Sequence, residues 1–126
     1  MSKRKKILIL GVTGQDGSFM AKLMHKKRYF VHGLVRKSST GNLSNIKDLL
    51  NKKNFFIHHG DLLDSISIET IIKKLKPDEI YNFADQDHVR WSFEIPWYSF
   101  DVTAGAVVKI LEIIKNCSPH SKFFQP

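Results

Sequence analysis

Cysteine is nearly absent: Cys117 is the one thiol in 126 residues. An internal disulfide is therefore excluded, and with it the small cross-linked class of secreted fold. A lone thiol suits a reducing compartment, so a cytoplasmic location is expected. Long apolar runs are missing as well. The basic start MSKRKK leads into only ILIL before a glycine, far short of the roughly 20 residues that span a bilayer. It is too short for a signal-peptide core and reads as a solvated tail entering a strand. Repeats and low-complexity stretches are absent, so a single domain is expected and membrane partners are not. Acidic residues are the scarcer charge, 12 against 20 Lys and Arg, for a net +8. The cations are scattered over Lys3 to Lys6, Lys26 to Arg28, Arg36-Lys37, Lys52-Lys53 and Lys73 to Lys76. That scatter argues against a nucleic-acid surface, which needs a concentrated basic patch.

What the chain does have is alternation. Short apolar runs at 6–10, 30–35, 54–59, 79–84 and 121–125 predict five strands. Between them the spacing predicts helices at 15–28, 44–51, 64–75 and 97–116, with a polar loop at 36–43. The helix at 15–28 offers Met20, Leu23 and Met24 to one face. Ile68, Ile71, Ile72 and Leu75 recur at i, i+3, i+4 and i+7, as do Val107, Ile110, Leu111 and Ile114. Each set makes one apolar stripe. Asp64 precedes the third helix as an N-cap candidate. Strand–helix alternation means βαβ units and a parallel sheet. The fold class expected is α/β, a Rossmann-like doubly wound parallel sheet, truncated at about the fifth strand.

The first strand runs into Gly11-Val12-Thr13-Gly14-Gln15-Asp16-Gly17. In a βαβ unit the first glycine permits the tight turn, the second admits a pyrophosphate close to the backbone, and the third lets the helix approach the sheet. The helix N-terminus then faces the phosphates. A glycine-rich turn without a ligand would share the spacing; the strand–turn–helix setting favours nucleotide binding. About 20 residues on, NAD-binding folds place an acid for the ribose 2′-hydroxyl. Here Arg36-Lys37 stand instead. Cations suit a 2′-phosphate, so NADP is expected.

Two later segments fall where strand ends meet such a ligand. HHGDLLD puts Asp61 and Leu62 by the adenine position, and NFADQDHV puts Phe83, Ala84, Asp85 and Gln86 at the point where strand order reverses. His58 and His59 are adjacent on a strand, so they face opposite ways and do not form a metal pair. Asp85 and Asp87 have no further ligand set around them in the sequence, and His88 stands alone. No metal is expected.

Together, GVTGQDGS, VHGLVRKSS, HHGDLLDS, PDEIYNFADQDHVRWSFEIPWYSFDV and KFFQ resemble, in register over essentially the whole chain, the N-terminal part of the GDP-mannose 4,6-dehydratase family. These are extended short-chain dehydrogenase/reductases. The resemblance implies an NADP-dependent lyase that converts GDP-mannose to GDP-4-keto-6-deoxymannose through transient hydride transfer. By position it implies that Gly11, Thr13, Gly14, Gln15, Asp16 and Gly17 line the phosphates and Arg36 takes the 2′-phosphate. Asp61 and Leu62 would hold the adenine end, and Phe83, Ala84, Asp85 and Gln86 would follow the cofactor's middle. Asp87 and Glu94 fall on the substrate side. The loop from Arg36 to Ser39 corresponds to a tetramer contact of relatives, which implies a homo-oligomer. The chain departs from the family wording AAQSHV at Asp85 and Asp87, whose carboxylates repel an anion. It also lacks the family's Ser/Thr and Tyr-x-x-x-Lys: Tyr29, Tyr81 and Tyr98 are followed four residues on by Gly33, Asp85 and Val102. The expectation is an incomplete NADP-binding domain over 1–126, without a catalytic residue and without the C-terminal substrate domain. Another sugar-nucleotide epimerase or dehydratase, or a stand-alone NADP-binding module, shares the same residues.

Overall fold

A computed structural model of the chain describes residues 4–36, 43–84 and 104–126. Its first unit runs from strand β1 (Lys6–Leu10) through helix α1 (Gln15–Lys26) to β2 (Phe30–Val35). A short 3-10 helix (Ser44–Leu49) precedes β3 (Phe55–His59). Helix α2 (Ser65–Leu75), β4 (Glu79–Asn82), α3 (Ala106–Cys117) and β5 (Lys122–Phe124) complete the order. All strand pairs are parallel, in the order β3-β2-β1-β4-β5. The order reverses beside β1: the chain builds outward to β3, then crosses back to lay β4 on the other side.

β1 is central because its residues suit burial on both faces. Ile7, Leu8, Ile9 and Leu10 are all fully buried. Each such side chain contributes roughly 1.5–3 kcal/mol on leaving water. Alternation then sorts the core into two layers. Ile7 and Ile9 pack with Ala21 and Met24 of α1 and with Ile46 and Leu49 of the 3-10 helix. Leu8 and Leu10 pack with Ile68, Ile72 and Leu75 of α2 and with Ile110, Ile113 and Ile114 of α3. Helices thus cover both faces, as a parallel sheet requires. No helix among the described residues is long and apolar enough to cross a membrane.

Several boundaries differ from the sequence reading. Helix α1 stops at Lys26 rather than 28. Arg28 is left-handed at φ +67°. Its N–H donates to the His25 carbonyl and that of Tyr29 to the Met24 carbonyl. This is a Schellman stop with arginine where glycine is usual. The buried face of α1 is Gly17, Ser18, Ala21 and Met24, whereas Leu23 is exposed. On α3, Ile113 is buried and Leu111 is exposed. The segment at 44–51 winds as a 3-10 helix, and the β4 strand ends at Asn82 rather than 84. Residues 97–103 of the expected long helix lie outside the described residues. Asp64 caps α2 as expected, accepting from the N–H groups of Ile66 and Ser67.

Candidate functional site

The chain leaves β1 through Gly11, whose φ of +79° favours glycine. A Cβ there would also lie 2.6 Å from the Phe83 carbonyl carbon and oxygen and 2.7 Å from the Ala84 nitrogen. The turn is therefore pressed against the end of β4, at the point where strand order reverses. The Gly14 N–H closes the turn by donating to the Gly11 oxygen at 3.2 Å. Gly17 is required on the inside: a Cβ would fall 2.1 Å from that same Gly11 oxygen. Its absence lets α1 rest directly on the turn.

Gly14 is different. Its φ is −76°, open to any residue, and a Cβ would meet only the Gly11 oxygen at 3.5 Å, an ordinary contact. Among the described residues, nothing in the packing demands glycine at this position. Gly14 is also the N-cap of α1, and among the described residues no side chain caps its first turn. Gly14, Gln15 and Asp16 are exposed, while Gly17 and Ser18 are buried. Among the described residues, the exposed rim thus presents the first N–H groups of α1 at the positive end of a helix, an arrangement that suits an oxyanion.

The neighbouring strand ends converge on the same edge. Arg36 is exposed directly after β2. The Gly60 N–H donates to the Val35 carbonyl, which holds the end of β3 beside that of β2. Asp61 follows, its carboxylate accepting from the Leu63 N–H at 3.0 Å. The Phe83 N–H donates to the Leu10 carbonyl at 2.8 Å, extending the β1–β4 pairing into the turn. Leu62 follows Asp61, and its side chain is buried in the core cluster that includes Leu10, Leu34 and Ile68. The expected residues Asp85, Gln86, Asp87 and Glu94, and the loop residues 37–39, lie outside the described residues.

Two asparagines at this end escaped the sequence reading. Asn45, on the 3-10 helix, donates from Nδ2 to the Thr13 carbonyl at 2.8 Å. Asn82 is fully buried at the end of β4. Its Nδ2 donates to Gln125 Oε1 at 2.8 Å, and its Oδ1 accepts from the Ala84 N–H at 3.2 Å. The Asn45–Thr13 and Asn82–Gln125 contacts join segments far apart in sequence, which no local pattern announces.

Histidine chemistry turned out to be paired across strands rather than along one. His32 Nδ1 lies 2.9 Å from His58 Nε2, and His32 stacks on Phe56 at 4.7 Å between ring centres. Burial lowers both pKa values, that of His32 to about 4, with Lys74 adding repulsion at each ring. His59 faces away, as expected. Among the described residues, no three His, Cys, Asp or Glu side chains gather as a metal site would need.

The family model described as GDP-mannose 4,6 dehydratase matches residues 8–126. The chain is 42% identical to the GDP-mannose 4,6-dehydratase of Yersinia enterocolitica over 96% of its own length and 34% of that protein's. It is 40% identical to the human GDP-mannose 4,6 dehydratase, over 97% of its length and 35% of the relative's. The chain thus spans about a third of the curated relatives it matches. Among solved structures, a dTDP-glucose 4,6-dehydratase from Bacillus anthracis, in complex with NAD, superposes with a TM-score of 0.77 at 26% identity, covering 94% of this chain and 36% of that one.

Proposed function

Since the chain belongs to the GDP-mannose 4,6-dehydratase family, we propose that these 126 residues are the NADP-binding part of such an enzyme. Gly14 carries the proposal. Gly11 and Gly17 are explained by the fold itself, but Gly14 is not. A glycine that the described residues leave room around, at the start of a helix, is accounted for by a diphosphate that comes close to the backbone. In this reading the first-turn N–H groups of α1 hold the pyrophosphate, and Gln15 and Asp16 border it. Arg36 holds the ribose 2′-phosphate, for which a guanidinium fork is well shaped. Asp61 and the Leu62 backbone border the adenine. Phe83 and Ala84 flank the middle of the dinucleotide, with Asp85 and Gln86 next in the chain.

When bound, NADP supplies the hydride acceptor and donor for the family's reaction; this stretch supplies orientation. The substrate proposed for the whole protein is GDP-mannose, with Asp87 and Glu94 on the sugar-nucleotide side. Assembly through the loop from Arg36 to Ser39 belongs to the same proposal. No Tyr-x-x-x-Lys occurs in the 126 residues, so the activity proposed for the stretch itself is binding. Titration calorimetry with NADPH and NADH tests it. NADPH binds more tightly, and Arg36→Ala weakens NADPH about tenfold, a loss of about 1.4 kcal/mol, while leaving NADH nearly unchanged. Equal affinity for the two cofactors, or no binding at millimolar ligand, would refute it.

A further inference from the structure

The Thr13–Gly14 peptide is held at both ends. Its N–H donates to the Gly11 carbonyl at 3.2 Å, within the turn. Its carbonyl accepts from Asn45 Nδ2 at 2.8 Å, from 32 residues away. The segment that brings Asn45 there is itself anchored. Ile46 and Leu49 are buried against the α1 layer of the core, together with Val12 of the turn and Ile9 of β1. Asn45 itself stays exposed. The 3-10 helix is therefore a brace, with two apolar feet in the core and one polar hand on the phosphate turn.

We infer that Asn45 is a positioning residue for the phosphate site: it fixes the peptide plane that leads into the N-terminus of α1. The inference rests on the cofactor reading above. The physical reason is preorganisation. Glycine at 14 has wide backbone freedom, so releasing the Thr13 carbonyl loosens a peptide plane then held through the Gly14 N–H alone of its two ends. An ordered donor array binds an anion without the ordering cost that a mobile one incurs. Neither Asn45 nor its neighbours Ser44 and Ile46 belongs to the glycine motif, so the brace adds a determinant from outside it.

The test is NADPH titration calorimetry on the 126-residue chain, wild type against Asn45→Ala and Asn45→Leu. Both substitutions remove the donor without adding charge that could itself repel a phosphate. Leucine also keeps much of the side-chain volume. Thermal melts by circular dichroism, without ligand, monitor folding. The expected result is a Kd for NADPH raised about fivefold in both variants, with melts close to wild type. Asn45→Gln, which retains the donor on a longer stem, recovers part of the affinity. Variants that bind NADPH like the wild type overturn the inference, and so do variants whose affinity loss is matched by a lowered melting temperature. A wild-type chain that takes up no NADPH overturns the cofactor reading and this inference together.

Discussion

His32 and His58 show how a residue's chemistry depends on what the fold sets beside it. Apart in sequence, each is an ordinary titrating group near pH 6.5. The β2–β3 pairing sets His32 Nδ1 2.9 Å from His58 Nε2, with burial and Lys74 of α2 disfavouring the charged forms. Other charge bears on the pair from Lys6 of β1 and His59 of β3. With folded pKa values below the unfolded one, the pair's contribution to stability is complete above pH 6.5. It is lost as pH falls toward 4, because the unfolded chain takes up protons that the folded one refuses. Thermal melts from pH 7 to 4 should show a falling transition temperature, with uptake of at least one proton on unfolding near pH 5. In His32→Phe this slope flattens. Position 32 was legible only as part of an apolar run; the pairing was not, because β2 and β3 lie too far apart in sequence for any local spacing to relate them.

Elements were legible wherever local physics set them. Asp64 ahead of an i, i+3, i+4, i+7 stripe predicts the start of α2, and its carboxylate caps that helix. Asp64→Ala should therefore cost about 1 kcal/mol, read as a lower midpoint in urea with an unchanged slope. Helix ends were less legible. Arg28 terminates α1 in a left-handed conformation that the sequence does not signal, since a glycine would be the usual marker. The inward faces shifted by a position or so for a related reason. Gly17 and Ala21 are small enough to lie against the sheet, so α1 turns them inward and leaves Leu23 outside. Apolarity alone ranks leucine above glycine; close packing reverses that order at this contact.

At the scale of the whole molecule, sheet order makes the site. β1 sits between β2 and β4, so the glycine turn that leaves β1 meets Phe83 and Ala84 as they leave β4. The motif, the strand alternation and Arg36 were enough to expect this edge. The Asn45 brace and the inward turn of Leu62 required three dimensions. The central claim is that Gly14 is reserved for a ligand rather than for folding. Gly14→Ala separates the two roles. An alanine N-cap is poorer than glycine, but a less flexible unfolded chain offsets that by about 0.4–1 kcal/mol. The net change in stability should therefore stay within about 1 kcal/mol. Gly11→Ala is the contrasting control, since its Cβ would strike the Phe83 backbone at 2.6 Å in a left-handed conformation. The decisive measurement is NADPH titration calorimetry of Gly14→Ala beside its thermal melt. The account predicts a wild-type-like melt with NADPH affinity reduced at least tenfold. A folded Gly14→Ala chain that binds NADPH as tightly as the wild type would contradict it.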